Sequence, residues 1–359
     1  MSRAQAQRSA HGGSRPGRRR LDTNVPVDYD LPTRTPRLES PDTARTVMLG
    51  VFALWVIGIV GAGTSLVAVD APDWLVRPSA GLLLVVFSVG LTHRAGGHMR
   101  IWAVAATILS VAALASQASV LISAAAAVTA VLASSWAVVV TKPAETAVAS
   151  LREFGVSITV ALSGTIAVAA WNAPVNYQRF SIFVLAVSLG LVITIVWGLG
   201  AGLHGLGRQN FAILIGVAAV VVLVLAYSSF VRTHGSELIV DGFTDLVIWM
   251  RQTFGGVPRP TEVLIGFPAL ILGVTLRSKR REGWWVLVFA VLGTVTVTTS
   301  LVSPGAYPTY IGLSTLYSVV LGVAIGLVLR NVVLRQRSRR SRALVPERRV
   351  EPGRLAPLK

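Results

Sequence analysis

The chain contains no cysteine, which excludes disulfides, thiolate nucleophiles and cysteine-ligated zinc or iron–sulfur centres. Lysine is almost missing as well: of 33 basic residues, only Lys142, Lys279 and Lys359 are not arginine. Charge of either sign is scarce, at 14% of residues against about 25% in soluble domains. What fills the space is apolar: 53% of the 359 residues are hydrophobic and the mean hydropathy is +0.66. Water is not the main solvent of such a chain. The arginine bias and the abundance of Ala, Val, Leu and Gly point to a high-GC bacterial genome.

A net charge of +17 would suggest nucleic acid in a soluble protein, but here it sits in the tails and one loop. Residues 1–45 are rich in Arg, Pro, Ser and Asp, cannot bury enough apolar surface to fold alone, and are expected to be a disordered basic tail. Arg18, Arg19 and Arg20 lie too far ahead of the first apolar segment for a secretory leader. The run from Arg335 to Arg342 carries no interleaved aromatic residues, so nucleic acid is not an expected partner. It reads as a flank orienting the last helix, able to touch anionic lipid headgroups. Residues 335–359 are therefore expected to form a second disordered basic tail.

Between the tails, residues 46–334 read as an all-α, polytopic membrane helix bundle. A helix crossing a hydrocarbon core of about 30 Å needs about 20 mostly apolar residues, because its backbone polar groups must be satisfied within the segment. Ten segments approach that length: Val47–Val69, Trp74–Leu91, Ile101–Ser116, Ala118–Val140, Phe154–Trp171, Phe180–Leu203, Phe211–Val231, Val263–Leu276, Trp284–Val302 and Tyr310–Leu329. Two are short of evidence from hydropathy: Ile101 to Val140 is one apolar run, and Val263–Leu276 is short and carries Pro268.

Arginine and lysine collect on the cytoplasmic side of membrane proteins. With ten spans and both termini in the cytoplasm, 28 of the 33 basic residues lie inside; Arg77, Arg179, Arg232, Arg251 and Arg259 stay outside. Merging the long run, or dropping the short segment, would expose the cluster at Arg277 and the C-terminal arginines. The run is therefore split at Ser116–Ser119, and the short segment is kept. The localisation that follows is the bacterial inner membrane.

Ten spans divide into two five-span halves of opposite orientation, an inverted repeat found in many secondary transporters. Trp55 to Gly63 in span one and Trp197 to Gly202 in span six share a Trp followed by Gly-Ala-Gly. Spans three and eight, at equivalent positions, are the shortest, and matched short or broken segments point to a binding site near the midplane. Candidate substrate-binding positions are thus Gly61, Gly63, Gly200, Gly202, Ser110 and Pro268. In general plan the outline resembles drug/metabolite-type transporters, from whose short connections the outer loop Arg232–Glu262 departs. Small-residue pairs such as Gly322 and Gly326 read as packing seams within the chain, in a homo-oligomer or against partner membrane proteins.

That outer loop contains an amphipathic helix, expected over 236–254 at the membrane surface and ended by Gly255 and Gly256. Ile239, Phe243, Leu246, Met250 and Phe254 share one face; Glu237, Asp241 and Asp245 share another. The acidic face is a solvated surface, or a metal- or phosphate-handling site for a lipid-linked substrate. His93, His98 and His204 form no ligand motif, so neither a metal nor a cofactor is expected. No acidic or basic residue falls within the core of an expected span, which argues against proton coupling. Three functions remain: a permease or flippase-like carrier, a non-catalytic subunit of an envelope or secretion assembly, or a membrane enzyme using the outer loop.

Overall fold

A computed structural model describes residues 41–67, 72–199, 237–278, 283–303, 307–340, 354 and 356–358. Contacts group the chain into residues 1–46 and 47–359, and the account below concerns the second group. Among the described residues all regular structure is helical: α1 (Pro41–Val67), α2 (Asp73–Ala95), α3 (Met99–Ser116), α4 (Ser119–Val139), α5 (Ala147–Ala170), α6 (Tyr177–Gly198) and α7 (Glu237–Phe254). There follow a π-helical turn (Glu262–Gly266), α8 (Phe267–Arg277), α9 (Gly283–Val288), α10 (Ala290–Thr298), a 3-10 turn (Ser300–Val302) and α11 (Pro308–Arg340).

Eight of these stretches are long and apolar enough to cross a membrane, which fits a multi-pass membrane protein. They match the expected spans one to six, nine and ten. The expected seventh span, Phe211–Val231, lies outside the described residues. The eighth is present as an interrupted helix that falls short of a full crossing length. Helices α1 and α3 present Phe52, Ile57, Val60, Ile101, Val104 and Ile108 outward, as lipid-facing helices do. The stretch Gly283–Val302 is instead mostly buried.

The long apolar run breaks where charge placement puts the break. Helix α3 stops at Ser116 because Gln117 turns left-handed, at φ 51°. The Gln117 amide donates to Leu114 O at 2.7 Å and its carbonyl oxygen receives the Arg77 guanidinium. The one strongly polar side chain in the run thus ends one helix and lets the next begin.

Hydroxyl groups hold the interior together. Ser134 and Ser188 join α4 to α6 at 3.0 Å, Thr294 bonds to Ser134 O at 3.1 Å, and Thr165 to Val297 O at 2.8 Å. Trp171 donates to Thr129, and Trp55 to Ser163. Most other hydroxyls, including Thr296, Thr298, Thr299 and Ser300, bond to carbonyls of their own helix, as expected of Ser and Thr in apolar surroundings.

One end of the bundle is basic. Arg277 is buried, donates to Thr141 Oγ1 and Thr141 O at 3.0 and 3.1 Å, and lies over the Trp284 ring at 3.6 Å. Arg94 reaches Val139 O, and Arg330 reaches Glu145 O. The C-terminal boundary drawn at 335 differs from what the structure describes. Helix α11 continues to Arg340, and Arg354, Ala356 and Leu358 bond back to the bundle. The basic composition there hides single residues with specific partners.

Candidate functional site

The interrupted helix is built from the sequence Gly-Gly-Val-Pro-Arg-Pro-Thr-Glu at 255–262. Gly255 adopts φ 68° and ends α7 as expected. The chain then runs beside α11 without helical hydrogen bonds as far as Arg259, whose carbonyl accepts from the Glu262 and Val263 N–H groups and opens the next helix. Non-helical backbone at membrane depth needs partners for its N–H groups, and two serines one turn apart provide them. Val257 N–H donates to Ser314 Oγ at 3.1 Å, and Arg259 N–H to Ser318 Oγ at 2.8 Å. Pro258 and Pro260, which alternate with these residues, have no N–H to satisfy. Sequence and environment are matched residue by residue.

Helical structure resumes in a widened turn. Pro268 cannot donate to Leu264 O and its ring crowds that carbonyl; the preceding turn relaxes into a π-helix, in which Phe267 N–H bonds to Glu262 O five residues back. Single π-turns are frequent at functional sites. The turn is clamped by glycines. A β-carbon on Gly266 would collide with the backbone of Gly293, and one on Gly322 would meet Phe267 Cβ at 2.8 Å. Gly326 similarly faces Ile271 and Pro268. The Gly322/Gly326 seam thus serves packing within the chain.

Glu262 lies at the head of this turn with its side chain fully buried. Its Oε1 pairs with Arg259 Nη1 at 2.7 Å, and the Ser318 hydroxyl also acts on the carboxylate. On the facing helix Thr315 Oγ1 is buried and unpartnered among the described residues. Ser318 lies ten residues into α11, about 15 Å along its axis, and Arg330 at the basic end is a further twelve residues on. The pair therefore sits near mid-depth of the bundle. No acidic or basic residue falls within the core of an expected span, yet two carboxylates bordering spans are enclosed. Glu262 precedes the apolar window by one residue, and Glu153, 1% exposed, precedes another by one. Both are enclosed because helices α5 and the π-turn begin before their apolar stretches do.

Of the other candidate positions, Pro268 belongs to this site. Gly61 packs on Ser79 of α2, and Gly63 faces open space. Ser110 is buried and bonds to Ala106 O and Gly81 O at 2.8 and 3.3 Å, which closes α3 on α2. Gly200 and Gly202 lie outside the described residues. Glu237 and Asp241 fall on α7, whose side chains are described only in part; Asp245 is exposed. Leu246, Trp249 and Phe254 are exposed as well, and α7 is fastened to α11 through Tyr317 OH to Phe254 O at 2.9 Å and Arg251 over Tyr310. The described residues do not unite Asp245 with any group of metal-binding side chains.

Sequence reasoning singled out the short segment with Pro268, and set Arg259 beside the outer-loop carboxylates, but did not pick out Glu262, Ser314 or Ser318. The usable signal was the Arg259–Glu262 spacing of three after alternating prolines. No protein-family model, curated protein or solved structure matches the chain.

Proposed function

We propose that the chain is a membrane carrier whose transport element is the interrupted helix from Glu262 to Arg277, with Arg259 and Glu262 facing the solute. One observation carries the reading: a fully buried carboxylate, held by Arg259 and Ser318, at a π-turn near mid-depth. Enclosing an ion pair away from water carries a desolvation cost of several kcal/mol per ion, and ionisable groups at such depth in membrane bundles usually line a path for ions or solutes. Oε2 can accept a proton, or a hydrogen bond from a cationic or hydroxyl-bearing solute, so proton coupling returns as part of the proposal.

In this reading Glu262–Arg277 is the eighth of ten crossings. Its head bonds to the first half of α11 and its tail to Thr141 at the basic end, so it connects the two ends. The basic end faces the cytoplasm of a bacterial inner membrane, by the distribution of arginine, and the halves form an inverted repeat. The test is uptake into proteoliposomes across a panel of amines, amino acids and polyols, with Glu262→Gln in parallel. Uptake above protein-free liposomes that falls about tenfold or more in the variant, a barrier change of about 1.4 kcal/mol, supports the proposal. Uptake indifferent to the variant removes Glu262 from the path; no uptake by monodisperse protein across the panel overturns the carrier.

A further inference from the structure

The basic end holds a second built site that the carrier reading does not use. Glu153, 1% exposed, receives the Lys142 N–H on Oε2 at 2.8 Å. Arg354 Nη2 lies 2.7 Å from both carboxylate oxygens; the largely exposed Arg152 reaches Oε1 at 3.3 Å. Two residues beyond Arg354, Ala356 O accepts from Arg94 Nη1 at 2.7 Å. Two further on, Leu358 N–H donates to Arg94 O at 3.1 Å, and the Leu358 side chain packs against the hydrophobic core.

The bundle thus presents a carboxylate, a guanidinium and a carbonyl in a row. They meet a guanidinium, a carbonyl and an N–H on alternate residues of the chain's end. Backbone groups at Ala356 and Leu358 give register, and one side chain gives identity. Identity here comes from Arg354, because a carboxylate in a buried setting selects a guanidinium that can bond to both oxygens. The surroundings, with Lys142, Arg152, Arg277 and Arg330, are positive, so general attraction does not bring an arginine there. The contact depends on Glu153.

We propose that the basic end is a receptor for an arginine-bearing peptide segment, filled in cis by Arg354, Ala356 and Leu358, which strap the α2–α3 corner to the α4–α5 corner. Burial, followed by the Arg354 charge, pulls the Lys142 ammonium below the usual lysine range, against the pull of Glu153, in keeping with the crowding of cations around one carboxylate.

The absence of cysteine permits a direct test in the full-length chain. With Leu358→Cys as the single thiol, maleimide labelling should be slow, and Arg354→Gln should accelerate it about tenfold as the bidentate contact is lost. Full-length Arg354→Gln protein, its site vacated, should bind a fluorescent peptide of sequence Glu351–Lys359 saturably, where the unaltered protein does not. The Arg354→Gln change lies outside the bundle and leaves its helices intact. Labelling rates equal with and without Arg354→Gln, or no peptide binding to the vacated protein, overturn the proposal.

Discussion

The backbone amide of Arg259 ends on the Ser318 hydroxyl, 2.8 Å away, so an N–H at the start of a helix, with no partner in that helix, is satisfied by a side chain of α11. Replacing Ser318 with Ala leaves that N–H buried and unpaired, at a cost of about 1–3 kcal/mol. Ser318→Thr, which keeps the hydroxyl, should cost less. Thermal unfolding of the detergent-solubilised variants followed by tryptophan fluorescence gives the order: unaltered protein, then Thr, then Ala.

Gly266 and Gly293 set the distance between the π-turn and α10. A β-carbon at Gly266 runs into the Gly293 backbone, which cannot swing aside, whereas one at Gly293 meets its nearest atom at 3.1 Å. Gly266→Ala should therefore destabilise by about 3 kcal/mol or more, at or beyond the upper end of overpacking costs, and Gly293→Ala by less. Equal melting temperatures for the two variants would show that the helices separate freely and that the clamp is not rigid.

These contacts show what the sequence could and could not reveal. Helix existence and the break at Gln117 were legible, because lipid demands long apolar runs and charge placement fixes their parity. Gln117 is polar in an apolar run, so its position carries the signal alone. Arg259 and Glu262 were obscured by the opposite effect. Their charges flank a short apolar stretch and read as surface, yet the chain re-enters the bundle before the stretch begins. Only the facing serines of α11, 57 and 59 residues beyond their partners, reveal the depth. Arg354 was lost in the same way among neighbouring arginines. Its partner Glu153 is two hundred residues earlier, a separation across which no local pattern extends.

Arg277 tests whether the basic end is structural. Its guanidinium bonds twice to Thr141 and stacks on Trp284. A desolvated cation–π contact contributes about 2 kcal/mol, and lysine reproduces the charge without the planar fork. Arg277→Lys should lose most of the stability that Arg277→Ala loses. If lysine restores full stability in chemical unfolding, charge alone suffices and the stacking contributes nothing measurable.

Lys142 should report the strap by its own titration. The lysine is held below its usual range first by burial and next by Arg354, with Arg94 and Arg152 adding to the effect and Glu153 opposing it. A lowered pKa means that the ammonium disfavours the docked state, so docking tightens as pH rises through the Lys142 titration and loosens below it. Arg354→Gln removes one positive neighbour and should raise the pKa. With three lysines in the chain, 13C-dimethyl lysine NMR resolves each one; an unchanged Lys142 titration in the variant would place Arg354 away from it.

Orientation is open to the same chemistry that cysteine's absence provides. If arginine placement governs insertion, a single cysteine at Gln117, between α3 and α4, or at Asp245 on α7 faces outward and reacts with a membrane-impermeant maleimide in intact cells. A cysteine at Glu145, between α4 and α5 and beside Arg330, reacts only after permeabilisation. The comparison decides the status of the interrupted helix. Gln117 lies before it and α11 after it. A cysteine at Asn331, next to Arg330, must share the behaviour of Glu145, because Arg330 bonds to Glu145 O. Asp245 must share that of Gln117 if Glu262–Arg277 truly crosses. Should Asp245 react only with Glu145 and Asn331, α7 lies on the basic side, Glu262–Arg277 is a re-entrant segment, and the ten-span count fails.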